Sequence, residues 1–345
     1  MKYRLLILFA MFGLVLAAQS PLPISTYDYG VPENNVSAIA IGMGGINLTN
    51  ADDPFASYGN PALLANNETT MFYLAYRLAD NEKLDFWEAA SVSNFLQEKQ
   101  FKYFTLVSKQ AGFSYQPMAA INISRFDTQT NKTLYYDYKL DKLQLSLAMK
   151  DKNWPSLTAG VNLKYITGRL VYLVERREGN QFVREHFIDD KIKGASGDIG
   201  LTMQTGDVSY GLTLYDVLSR LWWENYDPVS IQRRIGTAVQ YGSGASKTSF
   251  GIQSKISKKP ETTYHVGYSY AQTWDSKDFS SDEDLQQGMD LRIGFYSHDF
   301  YGADNINLTL GGGYHYQMFR FDFSLNSRGL KLADSEFLFS MGIGF

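Results

Sequence analysis

Residues 305–326 read NINLTLGGGYHYQMFRFDFSLN. Before Gln317, the apolar side chains Ile306, Leu308, Leu310, Tyr314 and Tyr316 fall on one side, with Asn305, Asn307, Thr309 and His315 on the other. After it, Phe319, Phe321, Phe323 and Leu325 oppose Arg320, Asp322, Ser324 and Asn326. A repeat of two marks a strand with one apolar and one polar face, whereas a helix spaces its apolar residues three and four apart. The same alternation runs through 143–149, 156–167, 208–214, 264–270, 289–295 and 336–345, and no helical stripe is sustained after residue 100. Candidate strands fall at 69–79, 101–107, 111–126, 133–149, 156–176, 182–203, 207–216, 231–241, 247–256, 261–271, 288–297, 304–315, 317–326 and 336–345, fourteen in all.

Composition narrows the class. The 345 residues include 24 Tyr, 22 Phe and 5 Trp but no Cys, which excludes a disulfide framework, a thiolate zinc site, a cysteine nucleophile and a lipoprotein anchor. The 32 basic and 36 acidic residues give a net charge of −4, so nothing draws the chain to nucleic acid. A mean hydropathy of −0.26 argues against spanning helices. At the start, Lys2 and Arg4 precede an apolar run over 5–16, and Val15-Leu16-Ala17 supplies small residues for cleavage after Ala17 or Ala18. That reads as a signal peptide over 1–18, and the run is too short for an anchor.

Two-faced strands in an exported chain suit a soluble sandwich or a transmembrane barrel. In the sandwich the apolar face is the core; in the barrel it meets lipid and the polar face lines the lumen. Opposite charges on the polar faces, as in Asp290 with Arg292 and Arg320 with Asp322, suit a packed lumen. The last strand carries Phe337, Phe339, Met341, Ile343 and terminal Phe345 on one face, and such an ending looks like the signal read by the barrel-assembly machinery. Closure also satisfies every backbone group, which lipid demands. The expectation is therefore all-β: a transmembrane antiparallel barrel of about fourteen strands over 69–345. It would sit in the outer membrane of a Gram-negative-type bacterium, in contact with its lipid, with both termini periplasmic. Outward loops would be 80–100 (Phe86, Trp87, Phe95), 217–230 (Trp222, Trp223, Tyr226) and 327–335. Inward turns would be short at 108–110, 204–206 and 242–246, with an exception in a long acidic turn over 272–287. Tyr73, Tyr172, Trp222, Trp223 and Tyr301 suit interfacial girdles.

Residues 19–68 are not strand-like. Gly42, Gly44 and Gly45 permit close backbone approach, and Asp52-Asp53-Pro54 and Asn60-Pro61-Ala62 are turn and helix-start chemistry. The glycines do not form a phosphate loop, since no Lys-Ser/Thr follows and no strand–helix pattern surrounds them. The stretch 43–65, MGG…ADDP…YGNPALLA, resembles the N-terminal signature of the FadL/TodX-like outer-membrane transporters and their PorV/PorQ-type relatives. Weaker matches follow at 194–200, 211–214, 291–296, 308–316 and 319–325, so the resemblance spans nearly the whole exported chain. Leu63 stands where many members carry Gly, which is closer to the PorQ-type end.

The resemblance implies a fourteen-stranded barrel whose N-terminal segment, 19–68, folds inside as a plug or hatch holding Asn60, Pro61 and Ala62. It also implies one of two roles. PorV/PorQ-type members handle secreted proteins with type IX secretion components as partners, and this is the reading the signature tips toward. FadL-like members instead take up hydrophobic small molecules such as long-chain fatty acids and release them sideways through a strand kink. Uptake predicts an apolar pocket between plug and wall and a break in the third strand, and Gln116-Pro117 is such a break because proline cannot donate to the ladder.

No other constellation suggests chemistry. His186, His265, His298 and His315 lack metal-ligand spacing, and no Gly-x-Ser-x-Gly elbow occurs, so neither enzyme, cofactor nor metal is expected. The acids Asp275, Asp278, Asp282, Glu283, Asp284 and Asp290 lack the spacing of a calcium loop and read as a solvated turn or a docking site. Lys164, Arg234, Arg292 and Arg320 would either steer anions or pair with neighbouring aspartates.

Overall fold

The computed structural model describes residues 20–23, 36–78, 99–179, 181–257, 260–277, 284–298, 306–328 and 330–345. The expected signal peptide, the loop aromatics Phe86, Trp87 and Phe95, and Tyr301, Asp278, Asp282 and Glu283 lie outside the described residues. Alternation becomes fourteen strands: β1 (Met71–Leu78), β2 (Lys99–Ser108), β3 (Ala111–Asp127), β4 (Lys132–Lys150), β5 (Leu157–Glu178), β6 (Gln181–Thr205), β7 (Val208–Trp223), β8 (Arg234–Ser243), β9 (Ser246–Lys255), β10 (Thr262–Lys277), β11 (Asp284–His298), β12 (Ile306–Tyr316), β13 (Phe319–Arg328) and β14 (Lys331–Gly344). Each pairs antiparallel with its chain neighbours, and β1 closes on β14 from Met71↔Gly344 to Arg77↔Leu338. Thr70 and Phe345 exchange two backbone hydrogen bonds of 3.0 and 2.9 Å beside that closing seam.

The faces sort as a lipid-facing barrel requires. Leu143, Leu145 and Leu147 of β4 are exposed outward while Gln144 and Ser146 are buried inward. On β11, Leu291 and Ile293 point out and Asp290 and Arg292 in. This reverses the arrangement of a water-soluble protein. One end carries tight turns at 109–110, 206–207, 244–245 and 317–318, where Gly206 and Gly244 take the left-handed φ of 59° and 56° that such hairpins demand. At the other end β3 to β6, of 17, 19, 22 and 25 residues, rise as two tall hairpins.

Several expectations change: β7 runs on to Trp223 and β13 and β14 take in most of 327–335, where loops were expected, and Tyr73 and Trp223 are buried in internal clusters rather than girdling the outside. The acidic stretch 272–287 is mostly strand: β10 and β11 stay paired through Thr273↔Gly288, Trp274↔Gln287 and Asp275↔Gln286 to Lys277↔Asp284. Thr and Trp are strong strand formers, and polar residues in the ladder are no obstacle where one face is wet. The chain ends also part. Phe345 lies at the short-turn end, whereas Ser20 forms a parallel bridge with Tyr226, beyond the far end of β7, and accepts from the Asp227 amide at 3.0 Å.

Candidate functional site

Residues 36–67 fold inside the wall. Ser37 caps α1 (Ala38–Gly42), its Oγ accepting from the Ala40 amide at 3.0 Å and donating to Asp53 Oδ2 at 2.6 Å. Asn47 donates to the same oxygen at 2.8 Å, and the Phe55 amide, ahead of α2 (Ala56–Gly59), donates to Asp53 Oδ1 at 2.9 Å. Burial pushes the Asp53 carboxyl up, while these three donors favour its charged form. Asp52 diverges from its neighbour and pairs with Lys247 on β9.

Asn60 opens a 3₁₀ turn, Pro61–Asn66; its Oδ1 accepts from the Ala62 amide, and its amide donates to the carbonyls of Leu48 and of Leu201 on β6, each at 3.0 Å. The fixed φ of Pro61 suits the first position of the turn. Gly44, at φ +85°, donates its amide to Thr309 Oγ1 on β12 at 3.2 Å. Its carbonyl lies 2.5 Å from His265 Nδ1, which must therefore be the donor, and His265 Nε2 is hydrogen-bonded to Thr263 Oγ1 at 2.8 Å. A Cβ on Gly294 would stand 2.2 Å from the Gly44 nitrogen, and one on Gly160 2.5 Å from the Ala62 nitrogen. Gly42 lies against Gly311, whereas Gly45, at φ +83°, faces the Tyr296 ring. Backbone thus meets backbone, with no room for a side chain between. Leu48 packs on Tyr215 and Ala238 of β7 and β8, and Val36 and Phe55 on Tyr73, Ala75 and Tyr103 of β1 and β2. A cavity of about 530 Å³ remains beside the segment at the short-turn end, bordered by Met43, Met71, Lys247, Met289, His315 and Arg320.

The lumen charges cancel. Lys164 bridges Asp198 and Asp216 at 2.6 and 2.9 Å, with Arg234 3.9 Å from Asp216. Across the barrel Arg292 and Arg320 hold Asp322 at 2.6 and 2.9 Å and both reach Asp290. These four cations are internal braces rather than an anion path. Lys142 differs: it is 4% exposed, lies 5.0 Å over the Tyr58 ring, and has no carboxylate within ion-pair distance among the described residues.

Beyond that polar layer, toward the tall hairpins, the lumen turns apolar. Tyr136, Tyr138 and Leu140 of β4, Ile166 and Leu170 of β5, Ile188 and Ile192 of β6, and Leu221 and Trp223 of β7 form one buried cluster. Leu22 from the N-terminal segment and Met118, Ala119 and Ile121 of β3 pack against it. The wall beside it is incomplete. β2 pairs with β3 only from Phe104↔Tyr115 to Ser108↔Ala111. Among the described residues, β3 from Gln116 onward is bonded to β4 alone, and β2 beyond Phe104 continues against β1. The β3–β4 register shifts between Pro117 and Ala119, leaving Met118 as the extra residue of a bulge. The Phe101 and Tyr115 rings stack at 5.9 Å where the ladder ends. Gln116 points inward and is hydrogen-bonded to Tyr58.

The expected break at Gln116-Pro117 therefore coincides with an open β2–β3 seam bordering an apolar lumen. Sequence reading missed the apolar lining and Lys142. Its one signal was LVYLV over 170–174, apolar on both faces where the rest of the chain alternates.

No family model and no curated protein sequence matches the chain. Solved structures do match in fold. The toluene transporter TbuX of Ralstonia pickettii superposes with a TM-score of 0.54 at 12% identity, covering 90% of this chain and 97% of its own. The toluene transporter TodX of P. putida gives 0.54 at 10% identity over 90% and 99%. A FadL homologue from Pseudomonas aeruginosa gives 0.55 at 11% identity over 92% and 99%. The chain shares the barrel fold of these FadL/TodX-type proteins; the PorV/PorQ-type assignment finds no counterpart among them.

Proposed function

We propose that this chain is an outer-membrane transporter of hydrophobic small molecules, with residues 36–67 as a fixed plug and the β2–β3 seam as the exit. The observation that carries this reading is the apolar lumen beside an unpaired stretch of wall. A hydrophobic molecule entering between the tall hairpins meets Tyr, Leu, Ile and Trp side chains, and leaving water for that surface is favourable by about 25 cal/mol per Å² buried. Further descent would cross the ion-paired layer and a plug seated backbone to backbone on the wall. The sideways route costs least, because no inter-strand hydrogen bonds between described residues hold the seam beyond Tyr115. Lys142 and Gln116, at the inner edge of the seam, offer a polar or anionic head one place to sit. The toluene transporters and the FadL homologue of like fold support this reading. Nothing in the site favours the secretion role that the N-terminal signature suggested.

Native mass spectrometry on protein extracted gently from its own membrane tests the proposal. The expected result is a small hydrophobic adduct that exchanges with added hydrophobe. A stoichiometric protein partner with no small ligand would favour secretion and overturn it.

A further inference from the structure

The outward face of the barrel is apolar over most of its circumference, as at Phe250, Ile252, Val266, Tyr268 and Leu291. The sector β4 to β7 is different. Counting from the outward apolar residue near the short-turn end, each of its strands places a cation ten positions along: Met149 to Lys139, Ala159 to Arg169, Met203 to Lys193 and Tyr210 to Arg220. On β4 to β6 ten residues at about 3.3 Å each, tilted by about 40°, rise roughly 25 Å, the height of an apolar belt, and on β7, where two extra residues bulge out between Leu214 and Leu218, the rise is about 20 Å. The four cations thus form a collar at the far edge of that belt. Lys139 lies directly across from Arg169, and Arg169 from Lys191. Like charges facing each other across strands are destabilising unless something neutralises them.

Little on the protein does so. Asp189 is held by Arg169 through two contacts of 2.7 and 2.6 Å, and Asp141 accepts from the Tyr115 hydroxyl at 2.6 Å. Asp137 and Glu224 stand at or above the level of Lys191, nearer the rim. Lys139, Lys191, Lys193 and Arg220 have no carboxylate within ion-pair distance among the described residues. Trp222, the cross-strand partner of Lys193, is exposed beside them as an interfacial aromatic would be. Below the collar Leu143, Tyr165, Ile199 and Leu218, the last 78% exposed, offer an acyl-binding surface.

We infer that Lys139, Arg169, Lys191, Lys193 and Arg220 bind the phosphate groups of a phosphorylated, multiply acylated glycolipid in the leaflet around the tall hairpins. Strands spaced about 4.8 Å apart make the collar wider than one phosphate, which favours a headgroup carrying more than one. The inference rests on the outer-membrane reading above, with the tall hairpins outward, and concerns a surface that the transported molecule does not touch.

The test is native mass spectrometry of the detergent-purified full-length protein titrated with diphosphorylated lipid A. The comparison is the quadruple variant K139Q/K191Q/K193Q/R220Q, whose four side chains are exposed and have no ion pair among the described residues. The wild type should hold lipid A in a salt-sensitive manner, with occupancy falling about tenfold or more in the variant, since each basic residue near an anionic surface contributes on the order of 1 kcal/mol. Heat-modifiable gel mobility verifies that the variant is folded, and R125Q/R184Q, above the collar, should bind as wild type does. Equal binding by the quadruple variant, equal binding of dephosphorylated lipid A, or tighter binding of phosphatidylglycerol would each overturn the inference. The hydrophobic adduct has a different mass, so either reading can fail alone.

Discussion

Gly294 shows how the segment 36–67 is held against the strands. A methyl group there would lie 2.2 Å from the Gly44 nitrogen and 2.7 Å from its Cα, and Gly44 cannot retreat, because its own carbonyl and amide are bonded to His265 and Thr309. Gly294→Ala should therefore cost about 1–3 kcal/mol, as overpacking does. A lowered heat-modification midpoint and new protease cleavage in 36–67 would report it. Gly312→Ala, whose nearest neighbour is 3.8 Å away, should leave both unchanged. At this scale the sequence displayed local chemistry well: the Gly cluster, the Asp pair and Asn60-Pro61 are legible because capping and turn preferences act within a few residues. Which partner each would meet was not, since Gly44 with Gly294 and Ser37 with Asp53 are brought together by the fold.

At the scale of elements, period two found the strands because lipid and a wet lumen each select one side of every residue pair. It failed where both sides are apolar. At 170–174 the alternation rule assigns the inward face to a polar lumen, while Leu170 in fact joins the apolar cluster. It also failed over 272–287, where charge was read as a turn although the ladder continues. The break in β3 was legible because proline lacks the donor a ladder requires, whereas the loss of pairing to β2 depends on both strands. Pro117→Val restores that donor and favours extension of the β2–β3 ladder. Uptake of a hydrophobic compound by cells expressing the variant should fall severalfold, at unchanged amounts of folded barrel. Undiminished uptake would remove Pro117 from the exit.

For the whole molecule, closure follows from an even number of strands with no tolerable edge, so the barrel was in the alternation before any pairing was known. Function was not, because a plug signature shared by uptake and secretion proteins says nothing of what the upper lumen is lined with. That lining, together with the seam, is what the uptake proposal rests on. The decisive measurement uses the absence of cysteine from the chain. Two steps on from Phe104↔Tyr115, an extended register would set Lys102 opposite Pro117, and a Lys102→Cys/Pro117→Cys variant can be oxidised to pin the seam and reduced to free it. Hydrophobe uptake, already lowered by the loss of Pro117, should drop further on oxidation and return to the reduced level with reductant, while the hydrophobic adduct stays bound in both states. Uptake indifferent to the cross-link would contradict the sideways exit.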